Sequence, residues 1–391
     1  MKKIVLAYSG GLDTSCCLKW LQNKGFEVIC FSANLGSEFS PADLKKRAHL
    51  SGAAKTYVKD LQKEFSDEYV ALALKAGAIY EGKYVLSTAL GRPLIAKHLV
   101  DIARKEKADF VAHGCTGKGN DQVRFEVTTA ILAPKIKTIA PLREWELNSR
   151  EEEIDYARKH KIPIKSTKEK LYSVDKNIWG VSVEGGALED IGKEPPENSY
   201  YFVKPLKKAL NQEVYLEIEF KRGLPIKLNG KSLDFLSLIS KLNKAGSQCG
   251  VGRTDVIEDR VIGIKSREIY EAPAAWILHT AHKELEALTL DRETLFFKEA
   301  ISFKYAQIIY QGLWFTELKN SLDAFINQTQ KVVSGTIGIK LYKGNIVITK
   351  RISVNSLYKK ELATYGRGDK FDRTLAEGFI KLWAIPFQVK N

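Results

Sequence analysis

A polar segment with two glycines, residues 9–15, follows the first apolar run of the chain and reads Ser-Gly-Gly-Leu-Asp-Thr-Ser. Gly10 and Gly11 let the backbone turn sharply and approach a bound group without a Cβ in the way. Thr14 and Ser15 open a helical pattern, and the N-terminal end of a helix attracts anions. We therefore expect this segment to hold the phosphate groups of a nucleotide.

Asp13 is the unusual member of the segment, because a carboxylate repels phosphate oxygens. A Mg2+ ion on the nucleotide would remove that repulsion, since Mg2+ prefers oxygen ligands and usually binds through substrate phosphates. We expect Mg2+ to accompany the nucleotide, without a separate metal site. His279 and His282 share a helical pattern, but no His-Glu-x-x-His arrangement or cysteine partner accompanies them.

A second stretch, residues 113–126, is also dense in chemically active groups and reads His-Gly-Cys-Thr-Gly-Lys-Gly-Asn-Asp-Gln-Val-Arg-Phe-Glu. Its three glycines expose backbone N–H groups after an apolar run, which suits a phosphate or a carboxylate. Arg124 follows on a helical pattern and can form two parallel hydrogen bonds to a carboxylate. Cys115 has no assignable activating histidine and acid, so we expect it to be a small packing residue.

The elements that must position these groups alternate between apolar runs and helical patterns. Strands are predicted at Lys3–Tyr8, Val28–Asn34, Lys55–Val58, Phe110–His113 and Thr138–Ala140. Helices are predicted at Thr14–Lys24, Pro41–Leu50, Leu61–Ala76, Pro93–Glu106, Asp121–Leu132 and Arg150–His160. This alternation indicates an α/β fold with a doubly wound parallel sheet, covered on both faces by helices. Residues 9–15 then lie at the carboxyl edge of the sheet, where such folds bind ligands.

A change of pattern near residue 165 predicts a domain boundary, because a polar connector interrupts the helical period there. We expect a nucleotide-binding domain at residues 1–165, an α+β domain at 166–365 and a helical tail at 366–391. Hairpins are predicted for Val214–Lys221 with Pro225–Leu228 and for Val333–Tyr342 with Ile346–Val354. Helices are predicted at Ser232–Lys244, Pro273–Leu288, Arg292–Gln311 and, with Pro386 behind it, Asp372–Trp383.

The tail helix is expected to dock on another subunit, with packing against its own chain as the open alternative. The composition, 44% hydrophobic and 28% charged, is that of a folded globular protein. No signal peptide or long apolar stretch is visible, and five cysteines without C-x-x-C spacing fit a reducing compartment, so we expect a cytoplasmic protein without membrane contact. The net charge of +14 comes from scattered lysines, which favours anionic small substrates over nucleic acid.

Residues 9–15 resemble the S-G-G-x-D-[ST]-S loop of the ATP pyrophosphatase superfamily, whose members cleave ATP between the α and β phosphates and form adenylated intermediates. Further segments that match a family pattern lie at residues 80–84, 92–97, 113–126, 250–253, 270–273 and 376–382. These segments make the chain resemble the argininosuccinate synthase family, essentially from end to end. The resemblance implies an adenine nucleotide alpha-hydrolase-like N-terminal domain and an ATP-dependent carbon–nitrogen ligase of arginine biosynthesis.

The reaction implied by the resemblance condenses L-citrulline with L-aspartate through citrullyl-AMP and releases AMP and pyrophosphate. ATP is the implied co-substrate, and a homotetramer is the implied assembly. The implied ATP contacts are Ala7, Tyr8, Ser9, Gly10, Gly11, Leu12, Asp13, Thr14, Ser15, Ala33 and Gly114. The implied aspartate contacts are Thr116, Asn120 and Asp121. The implied citrulline contacts are Tyr84, Thr88, Asn120, Arg124, Ser173, Ser182, Glu258 and Tyr270. The residues given a catalytic role are Asp13, Asn120, Asp121 and Arg124.

Some of these residues depend on the family pattern alone. Ala89 stands where some relatives carry serine, which leaves Thr88 as the expected hydroxyl. Without the pattern, Tyr84 would be a packing residue, and Ser173 and Ser182 would be caps or solvated hydroxyls.

Two other functions remain open from the residues alone. A tRNA-modifying enzyme of the same superfamily would account for the positive charge, but paired catalytic cysteines and an RNA-binding extension are not visible in the sequence. A nucleotide sensor without chemistry would not need Asp13, Asn120, Asp121 and Arg124 together.

Overall fold

The computed structural model describes residues 1–37, 40–147, 149–163 and 171–389. The domain boundary expected at residue 165 lies outside these residues. Within the described ranges, no helix is both long enough and apolar enough to cross a membrane.

A five-stranded sheet forms the centre of the N-terminal part. Its strands are β1 (Lys2–Ala7), β2 (Phe26–Asn34), β3 (Lys55–Asp60), β4 (Phe110–Ala112) and β5 (Lys137–Ile139). Their order is β3-β2-β1-β4-β5, and each neighbouring pair is parallel. The chain moves outward from β1 to β3 and then returns to the other side of β1, so the loops after β1 and β4 diverge. That reversal creates a crevice at the carboxyl edge, and the expected parallel sheet is confirmed.

Helices cover both faces of this sheet. They are α1 (Leu12–Asn23), α2 (Pro41–Leu50), α3 (Gln62–Glu64), α4 (Ala71–Ala76), α5 (Ser87–Glu106), α6 (Asp121–Leu132), α7 (Pro141–Glu144) and α8 (Arg150–Lys159). A π-helical segment, Phe65–Val70, joins α3 to α4. The middle of β1 explains the arrangement, since Ile4, Val5 and Leu6 are completely buried.

The expectation that Pro93 begins a helix was wrong, because α5 begins six residues earlier at Ser87. Its first turn is supported from outside the helix, where the backbone N–H groups of Thr88 and Ala89 donate to the Tyr84 hydroxyl at 3.1 and 3.2 Å. Those bonds occupy amides that the start of a helix leaves unpaired. Proline therefore lies inside the helix rather than at its start.

In the C-terminal part, the described residues form nine strands in two antiparallel sheets. They are β6 (Ser173–Asn177), β7 (Gly180–Glu184), β8 (Val214–Lys221), β9 (Leu224–Leu228), β10 (Lys231–Ser232), β11 (Arg253–Asp259), β12 (Lys265–Glu271), β13 (Gly335–Tyr342) and β14 (Asn345–Ile352). One sheet has the order β11-β12-β7-β6 and the other β10-β9-β8-β13-β14. Both predicted hairpins are confirmed in the second sheet, whereas no strand of the first sheet was predicted.

The C-terminal helices are α9 (Phe235–Gln248), α10 (Pro273–Thr289), α11 (Arg292–Tyr310), α12 (Glu317–Thr329), α13 (Lys360–Ala363) and α14 (Thr374–Gln388). Helix α12 was not predicted. One continuous hydrophobic core includes residues of α5 such as Leu90 and Leu94, and residues of α10 such as Ile277 and Leu278. The two parts therefore pack as one body around the crevice.

The tail helix α14 stands away from this core. It runs through Pro386, which lies inside its last turn rather than behind it, and none of its residues is buried. Leu382 and Trp383 are 70% and 65% exposed. The helix does not pack against its own chain over residues 374–388.

Candidate active site

A cavity of about 1130 Å³ opens at the carboxyl edge of the parallel sheet and extends to the sheet of β6, β7, β11 and β12. Its size exceeds the usual range for one drug-sized ligand, roughly 300–1,000 Å³. Every residue expected to contact ATP, aspartate or citrulline lines it except Ser15. Residues separated by more than 250 positions in the chain are thus brought to one space.

The segment at residues 9–15 turns tightly under helix α2. Gly10 has φ +75°, and a Cβ on it would lie 2.5 Å from Leu44 Cδ2. The Arg47 Nη1 atom donates to the Gly10 carbonyl oxygen at 2.6 Å, which ties the turn to α2. Gly11 is the N-cap of α1 and provides no side-chain cap, so the first backbone N–H groups of α1 are available to an anion.

Ser15 stabilises the segment instead of facing the cavity. Its hydroxyl donates to the Gly11 carbonyl at 2.7 Å, lies 3.1 Å from the Tyr8 hydroxyl, and the residue is only 3% exposed. Ser9 and Thr14, which do line the cavity, have hydroxyl oxygens 3.0 Å apart.

A second carboxylate accompanies Asp13. Burial, together with the charge of Asp13, raises the pKa of Glu153 on α8 to about 8, and Arg150 partly opposes this increase. The buried Oε2 atom of Glu153 has no hydrogen-bond partner. Two adjacent carboxylates with an unpaired oxygen are an arrangement that a divalent cation would stabilise.

Asp121 at the start of α6 holds two guanidinium groups in place. It accepts from Arg92 Nε at 2.8 Å through Oδ2 and from Arg124 Nη1 at 2.9 Å through Oδ1. Burial opposes ionisation of Asp121, but the two arginines outweigh burial and keep its pKa below the ordinary value. Arg92 also bonds Asp175 on β6, which links the N-terminal helices to the sheet of β6, β7, β11 and β12.

Arg124 is 3% exposed, and two of its three nitrogens are already occupied. Nε donates to the Tyr310 carbonyl at 2.9 Å, and Nη1 pairs with Asp121. Nη2 is buried without a partner. Since Arg124 lines the cavity, Nη2 is the atom best placed to receive a substrate carboxylate.

The sheet of β6, β7, β11 and β12 turns one polar face toward this arginine. Alternate residues of a strand share a face, and the register pairs Tyr270 with Ser182 and Ser182 with Asp175. On β7, β11 and β12 the residues that line the cavity are Ser182, Glu184, Glu258, Glu268 and Tyr270, and all of β6 (Ser173–Asn177) lines it. The residues between them, such as Val181 and Val183, are buried in a separate core.

Two buried glutamates share one tyrosine hydroxyl. Tyr270 lies 2.5 Å from Glu258 Oε2 and 2.9 Å from Glu268 Oε2. One hydroxyl proton cannot serve both oxygens, so the geometry favours an additional proton on the pair. The pKa values agree, because burial raises the pKa of Glu258 and, with the Glu258 charge, raises that of Glu268 to about 7.

A cluster of four tyrosines, Tyr80, Tyr84, Tyr270 and Tyr310, encloses this part of the cavity. The rings of Tyr84 and Tyr270 stack with centroids 3.9 Å apart, and those of Tyr80 and Tyr310 stack at 3.7 Å. Tyr310 donates to Glu258 at 2.6 Å and accepts from Asn120 Nδ2 at 2.8 Å. The cluster joins the segment around Asn120 to the glutamate pair.

The remaining expected residues are distributed around the same space. The Thr88 and Ser182 hydroxyl oxygens lie 3.0 Å apart, so α5 and β7 meet there. Ala33 lines the cavity near the end of β2, and a Cβ on Gly114 would lie 2.9 Å from Thr14 Cγ2. Gly114 thus allows the loops after β1 and β4 to approach closely. Thr116 also lines the cavity.

Sequence reasoning assigned no role to several cavity residues. They are Arg47, Arg92, Arg150, Asp175, Glu184, Arg260 and Glu268. Arg92 stood inside a string that carried the family resemblance, and Glu268 alternates with Tyr270 as the polar face of a strand would. Glu184 alternates with Val181 and Val183 in the same way. No local signal marked Arg47, Arg150 or Arg260. Cys115, in contrast, has a pKa raised by burial, which agrees with a packing role.

Family models match both parts of the chain. The argininosuccinate synthase N-terminal HUP domain matches residues 3–163, and the C-terminal domain of the same enzyme matches residues 172–390. The chain belongs to the argininosuccinate synthase family. It is therefore an ATP-dependent ligase of arginine biosynthesis, and the resemblance drawn from the sequence is confirmed.

Curated relatives agree over the full length. The argininosuccinate synthase of Pelotomaculum thermopropionicum is 51% identical, covering 100% of this chain and 98% of its own length. That of Chlorobium phaeobacteroides is 53% identical, covering 98% and 96%. A solved 4-thiouridine synthetase–RNA complex with bound ATP matches with 18% identity and a TM-score of 0.29, covering 41% of this chain and 40% of its own. Similarity of that extent supports no conclusion.

Proposed function

We propose that the cavity described above condenses L-citrulline with L-aspartate, using ATP and releasing AMP and pyrophosphate. One observation carries the proposal: a phosphate-binding turn, a buried arginine with an unpaired nitrogen and a glutamate–tyrosine pocket line a single cavity. Together these features suit two of the three reactants. The turn fits a triphosphate, and the arginine with the glutamates fits an amino-acid zwitterion.

ATP is proposed to lie with its adenine near Ala33 and Gly114 and its phosphates along residues 7–15. The free N–H groups at the start of α1 would bind phosphate oxygens where charge increases as pyrophosphate leaves. Mg2+ would be held there by Asp13, which lines the cavity beside these N–H groups. Glu153 is next to Asp13 but does not line the cavity. When bound, the ion would neutralise phosphate charge.

Citrulline is proposed to bind with its α-carboxylate at Arg124 and its ammonium group near Glu258, Ser173 and Ser182. The tyrosine cluster would exclude water from the side chain. The ureido oxygen then forms a bond to the α-phosphorus, while the bond between that phosphorus and the bridging oxygen breaks and pyrophosphate takes the electron pair. Positioning of the two reactants accounts for most of the rate acceleration in this step, because the ureido oxygen is a weak nucleophile in solution.

Aspartate is proposed to bind at Thr116, Asn120 and the backbone N–H groups of residues 114–120. Its amine attacks the ureido carbon of citrullyl-AMP, the carbon–oxygen bond to AMP breaks, and the amine loses a proton. Asp121 acts here by orienting Arg92 and Arg124, since both of its oxygens are already occupied by guanidinium groups. Asn120 reaches both substrates through its position beside Tyr310.

We also propose a cytoplasmic homotetramer with the three domains expected from the sequence. Helix α14 exposes Phe379, Ile380, Leu382 and Trp383 to at least 60%, and an apolar face of this kind is typical of a subunit contact. All five cysteines are free, which fits a reducing compartment.

The test follows an oxygen label. With citrulline labelled with 18O in the ureido group, we expect pyrophosphate release to depend on citrulline and the label to appear in AMP. Label that stays out of AMP would contradict citrullyl-AMP formation. A requirement for tRNA would favour the tRNA-modifying alternative, and ATP binding without pyrophosphate release would favour a sensor.

A further inference from the structure

The turn between β11 and β12 lies directly on the segment proposed to bind aspartate. The turn closes with two backbone bonds of 2.8 Å, from Arg260 N to the Ile264 oxygen and from Gly263 N to the Arg260 oxygen. It brings the Val261 N–H to 2.9 Å from Asn120 Oδ1. A hairpin of the C-terminal part therefore contacts the loop that follows β4.

Arg260 forms bonds on both sides of the cavity. Its Nη1 donates to the Lys118 carbonyl at 3.1 Å, and its Nε donates to the Ser266 hydroxyl at 2.8 Å. Its Nη2 pairs with Glu184 on β7 and, at 3.3 Å, with Glu268 on β12. The Arg260 side chain is 13% exposed and Glu268 is 11% exposed, so that contact is desolvated, whereas Glu184 is 43% exposed.

The glutamates that Arg260 joins continue into the citrulline pocket. Glu268 shares the Tyr270 hydroxyl with Glu258, and Tyr310 connects Glu258 back to Asn120. The contacts thus form a closed circuit that returns to the segment where it began.

We propose that Arg260 is a positioning residue, which holds the aspartate-binding segment in register with the citrulline wall. The proposal rests on the function proposed above for the same cavity. Arg260 acts through Lys118, Glu184 and Glu268, and its role is to align the aspartate amine with the activated ureido carbon. It is not assigned to the reacting atoms.

If Arg260 aligns aspartate with citrulline, its loss should affect the adenylation of citrulline and the attack by aspartate differently. Citrulline-dependent exchange between ATP and pyrophosphate reports adenylation alone, whereas argininosuccinate formation also requires aspartate. Because Arg260 also contacts Glu268 of the citrulline pocket, exchange is measured at saturating citrulline. For Arg260→Met we expect kcat/KM for aspartate to fall about 10- to 100-fold, as for loss of charged hydrogen bonds, and the exchange rate at saturating citrulline to fall much less. Arg260→Lys keeps the charge, and we expect a smaller loss.

The pH dependence provides a readout that a purely structural role would not change. Burial, together with the Glu268 charge, raises the pKa of Glu184 to about 7, and burial with the Glu258 charge raises that of Glu268 to about 7. Arg260 lowers both values, while Asp121 faces Glu184 as a further negative charge. Removing the cation raises both pKa values further, so the acid limb for aspartate should move to higher pH in Arg260→Met. In Arg260→Lys it should move less.

Arg267 provides the matched control. It lies on the same hairpin, its side chain is 7% exposed, and it pairs with Asp255 at 2.6 Å away from the cavity. Arg267→Met should leave aspartate kinetics and the acid limb unchanged. If Arg260→Met matches Arg267→Met in both, the proposal is wrong. If the wild type shows no citrulline-dependent exchange, the function proposed above fails instead.

Discussion

The substitution Arg124→Lys tests the proposed contact of the Arg124 guanidinium group with the citrulline carboxylate. Nε and Nη1 are bound to Tyr310 and Asp121, and Nη2 alone lacks a partner. Lysine keeps the charge but cannot bind these two groups and a substrate carboxylate in the same geometry. A hydrogen bond involving a charged group contributes about 1.5–3 kcal/mol. At about 1.4 kcal/mol per tenfold change, kcat/KM for citrulline should fall about 10- to 150-fold.

The assay measures argininosuccinate formation with citrulline varied and ATP and aspartate saturating. The KM for ATP should stay within about threefold of the wild-type value, because Arg124 is not placed at the phosphates. Arg158→Lys is the control. Arg158 on α8 is 62% exposed, and within the described residues its guanidinium group contacts Asp155 alone. A citrulline kcat/KM close to that of the control, in a variant with unchanged melting temperature, would refute the assignment.

Three further predictions concern the phosphate site, the turn beside Arg124 and the tail. Asp13→Asn should lower turnover about 100-fold. The folded protein keeps the proton on Glu153 up to about pH 8, whereas the unfolded chain loses it near the ordinary pKa of glutamate. The contribution of Glu153 to the stability of the wild type therefore declines between these two pH values. The melting temperature of Asp13→Asn relative to the wild type should therefore be higher at about pH 9 than at about pH 5, and a constant difference would argue against the carboxylate pair. Gly312→Ala places a Cβ 2.7 Å from Arg124 Cα at φ +75°, so denaturant unfolding should show a loss of about 2–4 kcal/mol. Gly25→Ala, at φ +86° in open space, should lose only about 1–2 kcal/mol, and equal losses would contradict the steric argument. Deleting residues after Asp372 should reduce the mass measured by light scattering, whereas an unchanged mass would exclude the tail from assembly.

The parallel sheet was predictable because its strands are buried on both faces. In β1, three consecutive residues, Ile4, Val5 and Leu6, are completely buried, so the apolar run stands out in the sequence. Residues 9–15 were predictable for a related reason, since a tight turn before a helix needs glycine and leaves a compact string of polar residues.

The sheet behind the citrulline pocket was missed because one of its faces is polar. Along β7, Val181 and Val183 are buried in a core while Ser182 and Glu184 face the cavity. A sheet that lines a polar cavity therefore has no apolar run. The alternation of valine with polar residues was the available signal, but it extends over only four positions.

The contacts of Arg260 could not be predicted by any local pattern. Lys118 and Glu268 lie 142 residues before and 8 residues after it. Their meeting depends on how the sheet of β6, β7, β11 and β12 packs against the crevice. The same holds for Tyr310, which reaches Asn120 from the end of α11. Propensity and spacing describe neighbours along the chain, whereas these contacts arise from tertiary packing.

Ionisation of the tyrosine cluster also provides an absorbance signal for the opening of the cavity. Burial raises the pKa of Tyr84, Tyr270 and Tyr310 above the ordinary value, so their phenols stay neutral in alkaline solution while the cluster is intact. A phenolate absorbs at longer wavelength than a phenol. After a jump to alkaline pH, exposed tyrosines would ionise at once and these three only as the cavity opens. Tyr69 and Tyr305 are buried outside the cavity and also have raised pKa values. The part of the slow absorbance change that Tyr270→Phe removes would then time the opening of the active site without an attached label.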